Sequence, residues 1–272
     1  MSLIVELLGK SIFVPATAVS VLAFAGCGKD GAPPVNVVGS TSIQPFAELL
    51  AQEYAKANPG QRVEVQGGGS TAGLQAVANG LAQVGTCSRA LDDQEARQFT
   101  PIVIARDGLA VVVNTANPVS GLSQEQLRKV FDGVTTNWKD LGGKDAPIRV
   151  ITREEGSGTR ESFVHLVMGK DRITTSALTQ ESNGAVKELV RNDPAAIGYM
   201  SLGLAGKEVK ALAIDQVEAN HQNVVDGKYK LARPFLFVTK GPASPAAQRF
   251  IDFVLSAEGQ KTLESEGLVR AK

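Results

Sequence analysis

The sequence predicts an α/β protein whose parallel sheets are covered by helices, and three observations support this prediction. Short β-branched runs alternate with segments of helical periodicity along most of the chain. Such alternation is typical of strand–helix–strand units, which pack helices against a parallel sheet. The chain contains 28 glycines, which indicates many tight turns. Its 272 residues are enough for one large domain or two modest ones.

The apolar patterns place these elements in order from residue 35 onwards. The predicted strands are 35–38, 62–66, 84–87, 102–105, 109–113, 148–152, 197–200, 209–214 and 235–238. The predicted helices carry apolar faces at 43–54, 74–81, 127–131, 163–167 and 250–254. Ser123 and Gln126 have the spacing of a capping box at the start of the third helix.

No low-complexity linker interrupts this alternation. If the chain forms two lobes, it must therefore cross between them more than once. We expect one lobe to consist of residues 35–112 and 233–272, and the other lobe to consist of residues 113–232.

The N-terminal segment has the pattern of an export signal. An uncharged, mostly apolar run extends from Ser11 to Gly26, which is short for a membrane span, and Cys27 follows it. We expect residues 1–26 to be a signal peptide and residues 27–34 a polar spacer that begins with a lipidated cysteine; a plain secretory signal is the alternative. Either signal predicts an exported protein, as a cell-membrane lipoprotein or in the periplasm.

Three glycine-rich and hydroxyl-rich turns follow predicted strands and precede predicted helices. They are GSTS (Gly39–Ser42), GGGSTAG (Gly67–Gly73) and GSGT (Gly156–Thr159). The first turn of a helix leaves backbone N–H groups unpaired and carries a partial positive charge, so an anion is its natural partner. Any one of these turns is explained by ordinary helix capping. Three of the same kind favour a shared anion site at one sheet edge.

Charged residues beside the third turn strengthen this interpretation. Arg153 precedes the turn, and its planar guanidinium matches the oxygens of a phosphate better than a lysine ammonium does. Glu155 follows two residues later, and we expect it to hold Arg153 in place. The alternative is a surface ion pair, which contributes at most about 1 kcal/mol.

Composition and motif content argue against several other functions. The 28 basic and 28 acidic side chains give a formal charge of zero, which argues against a nucleic-acid partner. His165 and His221 stand apart from other ligand types, so we expect no metal and no cofactor. Ser70 and Ser157 do not lie in a G-x-S-x-G nucleophile turn, and no phosphate-binding P-loop is present, so we expect a binding protein and not an enzyme.

Seven ordered segments resemble one known family. They read GSTSIQPFAELLAQEY, VQGGGSTAGLQAV, VGTCSRAL, RDGLAVVVN, FDGVTTNWKDLGG, VITREEGSGTRESF and AIGYMSLG. Through these segments the chain resembles the phosphate-binding proteins of bacterial phosphate ABC transporters. The resemblance extends from about residue 35 to the C-terminus. The resemblance implies the type II periplasmic-binding-protein fold, in which two lobes, each with a mixed and mostly parallel sheet, are joined by two hinge crossovers and close on one inorganic phosphate.

The resemblance also implies ligand contacts and a partner. The expected phosphate-binding residues are Thr41, Ser42, Ser70, Ser88, Arg89, Asp107, Arg153, Ser157, Gly158 and Thr159, with Glu155 supporting Arg153. The expected partner is the membrane permease of the transporter, with the protein acting as a monomer anchored through a lipid on Cys27.

One position departs from the best-known members of this family. They carry an aspartate after the strand that corresponds to VGTCS, and that aspartate accepts the remaining proton of phosphate; this chain has Arg89 there. A branch of the family shares this Ser-Arg form together with Arg-Asp-Gly, here residues 106–108. We predict that Asp107 either supplies the missing acceptor or pairs with Arg89 at the rim of the site.

Three alternatives remain open from the sequence. The first is a secreted phosphatase-like enzyme or serine hydrolase. The second is a binder of another oxyanion, such as sulfate, molybdate or phosphonate, because Arg89 replaces the selective aspartate. The third is a sensor or adhesin that keeps the fold without taking part in transport.

Overall fold

The computed structural model describes residues 33–271. The predicted signal peptide and Cys27 lie outside the described residues. Twelve strands are formed within the described range: β1 Val35–Gly39, β2 Val63–Gly67, β3 Val84–Cys87, β4 Thr100–Asn114, β5 Gly121–Leu122, β6 Arg149–Arg153, β7 Leu178–Gln180, β8 Ala196–Ser201, β9 Val209–Ala211, β10 Ala213–Ile214, β11 Ala232–Thr239 and β12 Val269–Arg270.

Nine α-helices accompany these strands within the same range. They are α1 Gln44–Ala57, α2 Ser70–Ala78, α3 Asp93–Gln98, α4 Gln124–Phe131, α5 Gly158–Phe163, α6 Asn183–Asn192, α7 His221–Val225, α8 Pro245–Leu255 and α9 Ala257–Ser265. Helix α5 continues directly into a π-helical turn at Val164–Met168. The predicted capping box is confirmed, because Ser123 and Gln126 exchange side-chain and backbone bonds at the start of α4.

Ten of the strands form one mixed sheet in the order β2-β1-β3-β11-β4-β8-β6-β7, and β9 and β12 also pair with β4. We call β1, β2, β3, β11, β12 and the part of β4 up to residue 108 the first half of the sheet. The rest of β4 with β6, β7, β8 and β9 is the second half. The outer pairs of each half are parallel, whereas every pair that includes β4 is antiparallel.

Strand β4 connects the two halves without a break. The sequence predicts two separate strands here, 102–105 and 109–113, from their β-branched residues; the separation is wrong. Asp107 pairs with Arg233 and Gly108 with Ala232 on the antiparallel strand β11, so the pairing continues through the polar residues. The predicted strand 209–214 is also two strands, β9 on β4 and β10 on β5.

Each half of the sheet buries an apolar cluster on both of its faces. Alternate residues of β11 separate the two clusters of the first half: Phe235 and Phe237 pack on one face, and Leu236 and Val238 on the other. The β4 residues after position 108 divide in the same way between the clusters of the second half. This period of two is expected for a sheet that is covered on both faces. Among the described helices, none combines the length and apolar character that a membrane crossing requires.

The parallel strands set the position of the polar turns. In the first half, β1 leads to α1 and β2 to α2; in the second half, β6 leads to α5 and β7 to α6. Because the carboxyl ends of parallel neighbours lie at one edge, the starts of these helices gather at a common edge within each half.

Candidate functional site

Buried polar side chains lie where the helix starts of the two halves meet. We call this set the polar cluster, and it consists of Ser40, Ser42, Ser70, Ser88, Arg153, Ser157 and Thr159, each at most 3 % exposed. Six of its seven members come from the three turns and from the end of β6, and Ser88 follows β3. The fold therefore brings together residues that are up to about 120 positions apart in the chain.

Within the first half, hydroxyls link the turns to one another. Ser40 Oγ donates to Ser88 Oγ at 2.8 Å, and the backbone N–H of Ser88 donates to Ser70 Oγ at 3.1 Å. These bonds fix three serines from three different strand ends in one patch. Polar groups that are buried this deeply need such partners, because an unpaired one costs about 1–3 kcal/mol.

The turns of the two halves touch directly. Ser42 Oγ and Thr159 Oγ1 are 2.6 Å apart, and the backbone N–H of Thr71 donates to the carbonyl of Gly156 at 3.1 Å. Ser157 caps helix α5 by accepting from the N–H of Arg160, so the amides of Gly158 and Thr159 open the helix with no earlier turn to bond them. The turns of both halves thus meet at one polar boundary.

Two glycines permit this close contact. A Cβ on Gly158 would lie 2.2 Å from Ser70 Oγ and 2.8 Å from Ser88 Oγ, well inside contact distance. Gly69 has a φ of +94°, and a Cβ there would lie 3.1 Å from the carbonyl oxygen of Gly156. Larger residues at these two positions would push the halves apart.

Arg153 brings the positive charge into the polar cluster. Its side chain is 1 % exposed; Nε and Nη2 donate to the Glu154 carboxylate at 2.9 Å each, and Nη2 donates to Thr41 Oγ1 at 3.0 Å. Further bonds run from the guanidinium to the carbonyls of Gln180 and Glu181. Nη1 is buried and has no hydrogen-bond partner among residues 33–271. One donor of a fixed guanidinium is therefore available to a ligand.

The prediction that Glu155 holds Arg153 is wrong. The Glu155 side chain is 95 % exposed, and its nearest cation is Arg160 at 4.0 Å. Residues 154–157 form a turn that is closed by the bond from Ser157 N–H to the Glu154 carbonyl. Glu155 lies at the exposed tip of this turn, whereas Glu154 remains beside the strand end and binds the guanidinium.

Arg89 lies outside the polar cluster, although Ser88 belongs to it. Its guanidinium donates to both carboxylate oxygens of Glu95 at 2.6 and 2.8 Å, and its Nε lies 2.5 Å from Glu161 on helix α5. Arg89 and Glu161 border a cavity of about 500 Å³ that His165 also lines. Arg89 therefore forms an ion pair between the two halves of the sheet and makes no contact with Asp107.

The Arg89–Glu95 pair predicts an acid-sensitive part of the stability. Hydrogen bonding to Arg89 lowers the pKa of Glu95. A carboxylate whose pKa is lower in the folded state stabilises the protein when the pH is above its unfolded-state pKa of about 4.3. This stabilisation is lost as the pH falls through the folded-state pKa. We expect Glu95→Gln to destabilise the protein at pH 7 in urea unfolding, and we expect the difference from wild type to shrink as the pH falls below about 4.3. The exposed Glu64→Gln is the control; a difference that persists at low pH would contradict the assignment.

Asp107 pairs with Arg233 and not with Arg89, so that predicted pairing is wrong. Asp107 and Arg233 face each other in the β4–β11 register, each 1 % exposed, with Nε and Nη2 donating to Oδ2 at 3.1 and 3.0 Å. Ser201 Oγ donates to Oδ1 at 2.8 Å. Burial raises the pKa of Asp107, and its contacts with Arg233 and Ser201 oppose that rise. The pair joins the strand that crosses between the halves to its neighbour.

Three further residues complete the site and were not predicted from the sequence. Arg233 Nη2 donates to Ser42 Oγ at 3.3 Å, Asn183 Nδ2 donates to the same oxygen at 2.9 Å, and Ser201 donates its N–H to Asn183 Oδ1 at 3.0 Å. A sequence signal existed for Asn183, because Ser182, Asn183 and Gly184 form a fourth polar turn before a helix. Arg233 lies two residues before a predicted strand, 235–238, and a charged side chain buried so close to a strand is unusual.

The arrangement is suited to a small anion. The starts of α2 and α5 present positively polarised amides, hydroxyls supply movable donors, and Arg153 adds a fixed cation. Arg233 is neutralised by Asp107, whereas Arg153 keeps one unpartnered donor next to a half-buried Glu154. A donor-rich enclosure of this kind recognises oxyanions.

Comparison with known proteins agrees with this geometry. Residues 27–258 match the family model described as the PBP superfamily domain. The phosphate-binding protein PstS of Bacillus subtilis is 33 % identical over 236 residues, which cover 85 % of this chain and 78 % of that protein.

Solved structures give the same result. One is a crystal structure with bound phosphate from Clostridium perfringens, of a protein assigned as a phosphate ABC transporter substrate-binding protein. It is 37 % identical, has a TM-score of 0.86, and the match covers 88 % of this chain and all of that one. An ABC-type phosphate transport receptor from Vibrio cholerae is also 37 % identical, with a TM-score of 0.73 and coverage of 86 % and 99 %. The chain thus has the two-lobed type II periplasmic-binding-protein fold and belongs to the PstS family within the PBP superfamily.

Proposed function

We propose that this protein captures inorganic phosphate outside the cytoplasmic membrane and delivers it to the permease of an ABC transporter. The observation that carries the proposal is the buried guanidinium of Arg153, which keeps a free donor at the point where the helix starts of both halves converge. Relatives and solved structures with this fold are named for phosphate binding and phosphate transport.

The available donors are sufficient for tight binding. A micromolar complex requires about 8 kcal/mol, and each hydrogen bond to a charged group contributes roughly 1.5–3 kcal/mol. Thr41, Ser42, Ser70, Ser157 and Thr159 contribute hydroxyls, and the first amides of α2 and α5 add backbone donors. Such donors act at short range, so a formal charge of zero is compatible with anion capture.

We propose that the two halves of the sheet move as lobes. The described conformation is closed, because Ser42 meets Thr159 and Thr71 meets Gly156 across the boundary. Residues 109–113 pair with β8 of the second half, so we place the lobe boundary in β4 at residue 108 and not at the predicted residue 112. Residues 35–108 with 232–272 then form one lobe and residues 109–231 the other, with hinges in β4 and in the segment before β11. Phosphate shifts the population toward this closed form because it bonds to helix starts of both lobes at once.

The same proposal covers the protein's action and attachment. The protein binds and does not catalyse, in keeping with relatives that are named binding proteins and transport receptors. Cys27 carries the lipid that anchors a monomer at the cell membrane. Asp107 is the predicted acceptor for the proton that phosphate retains, and two hydrogen bonds, both donated by Arg233, connect it to Ser42.

Isothermal titration calorimetry with phosphate, sulfate and molybdate tests the proposed function. We expect micromolar or tighter binding of phosphate, and binding of sulfate and molybdate that is weaker by at least about a hundredfold, or 2.8 kcal/mol. Preferential binding of sulfate or molybdate would identify a transporter of another oxyanion. Absence of binding to all three, or turnover of a generic phosphate ester, would refute the proposal.

A further inference from the structure

The hydroxyl of Ser42 has three polar neighbours within hydrogen-bond distance. Asn183 Nδ2 lies 2.9 Å from Ser42 Oγ, Arg233 Nη2 lies 3.3 Å from it, and Thr159 Oγ1 lies 2.6 Å from it. The Ser42 side chain is fully buried. These neighbours therefore decide in which direction its single proton points.

The orientation of the Asn183 amide follows from its other partner. Asn183 Oδ1 accepts the backbone N–H of Ser201 at 3.0 Å, and a backbone N–H is always a donor. The amide oxygen must therefore face Ser201, which leaves the NH₂ group facing Ser42. Asn183 is 2 % exposed, so water does not compete for these positions.

A hydroxyl has one proton and two acceptor positions. The nitrogens of Asn183 and Arg233 only donate, because their lone pairs are delocalised, so together they occupy both acceptor positions of Ser42 Oγ. The proton of Ser42 must then point to its third neighbour, Thr159, or to a ligand oxygen bound between them. When Thr159 Oγ1 accepts that proton, its own proton points onward into the site.

We propose that Asn183 is a positioning residue for anion recognition. Together with Arg233 it holds Ser42 as a donor, so the corner formed by Ser42 and Thr159 presents only protons to the ligand. This corner takes an unprotonated, negatively charged oxygen, and the P–OH group of hydrogen phosphate binds elsewhere in the site. The inference rests on the proposed function. It adds that an unprotonated phosphate oxygen, and not the P–OH group, binds at Ser42 and Thr159.

Three side chains of similar shape at position 183 separate this role from a simple contact between the lobes. Asparagine donates to Ser42, leucine (Asn183→Leu) makes no hydrogen bond, and a carboxylate (Asn183→Asp) accepts the Ser42 proton. A residue that only holds the lobes together tolerates the carboxylate better than leucine, because the hydrogen bond survives in reversed direction. A residue that orients the Ser42 proton tolerates the carboxylate least.

The experiment measures phosphate affinity by calorimetry for the three side chains, each with Ser42 and with Ser42→Ala. With Ser42 present, we expect Asn183→Leu to weaken binding about tenfold, the equivalent of one hydrogen bond, and Asn183→Asp to weaken it about a thousandfold. With Ser42→Ala, we expect no further effect of Asn183→Leu. Asn183→Asp then weakens binding only about tenfold, through charge repulsion alone.

The difference in phosphate affinity between Asn183→Asp and Asn183→Leu decides the proposal. A gap of equal size with Ser42 and with Ser42→Ala would overturn it, because charge repulsion would then explain the whole effect. If Asn183→Asp does not fold in urea unfolding without phosphate, the leucine comparison decides alone: an equal loss in both backgrounds overturns the proposal. Failure of wild type to bind phosphate refutes the proposed function itself, whereas wild-type binding with equal gaps refutes only the role of Asn183.

Discussion

Replacing Arg153 with lysine is expected to weaken phosphate binding about a hundredfold. A lysine ammonium keeps the charge, but its three donors are too few to hold Glu154, Thr41 and the two backbone carbonyls and still bind the ligand, as the guanidinium does. The loss of two hydrogen bonds to charged groups, at about 1.5 kcal/mol each, corresponds to this factor. Calorimetric titration with phosphate measures it.

Arg149→Lys is the matched control for this experiment. Arg149 lies at the opposite end of the same strand, and its side chain is 58 % exposed beside Asp193. Ion pairs exposed to that degree contribute little, so this variant is expected to bind phosphate like wild type. Wild-type affinity in Arg153→Lys would contradict the placement of Arg153 at the ligand.

Asp107→Asn is expected to lower the free energy of unfolding by about 3 kcal/mol, because it leaves the buried Arg233 without a counter-charge. Urea unfolding without phosphate measures the change. The control is Glu125→Gln, which breaks a solvent-exposed pair with Lys129 and is expected to have no measurable effect. Equal stability of Asp107→Asn and wild type would mean that the pair is not ionised in the folded protein.

The same Asp107→Asn variant tests how phosphate is distinguished from sulfate. An aspartate that accepts the proton of hydrogen phosphate rejects sulfate, which has no proton to donate. Calorimetric titrations with phosphate and with sulfate, at a temperature at which the variant remains folded, are expected to show a smaller preference for phosphate in Asp107→Asn than in wild type. An unchanged preference would remove Asp107 from selectivity and leave it a structural role beside Arg233.

Local patterns were enough to predict much of the fold and the three polar turns. A strand, a glycine-rich turn and a helix start are adjacent in sequence, so periodicity and capping chemistry reveal them together. The family resemblance then indicated that the turns from 39–42, 67–73 and 156–159 serve one site. The structure brings Ser42, Ser70 and Thr159 into that site.

Residues that depend on strand register could not be predicted in this way. Asp107 meets Arg233 only because β4 and β11 pair antiparallel in one register, although 126 positions separate them. Asn183, which accepts the N–H of Ser201, reaches Ser42 only through the packing of the second half against the first. The choice of Glu154 over Glu155 depends on the exact path of one turn, which residue type does not reveal.

A crystal structure of the protein grown with phosphate tests most directly whether the turns of both halves recognise one anion. We expect a single phosphate whose oxygens lie within about 3.2 Å of Arg153 Nη1, Ser70 Oγ and Thr159 Oγ1, with Ser42 donating at the same corner. A phosphate bound away from Arg153, or contacts confined to one half of the sheet, would contradict this mode of recognition.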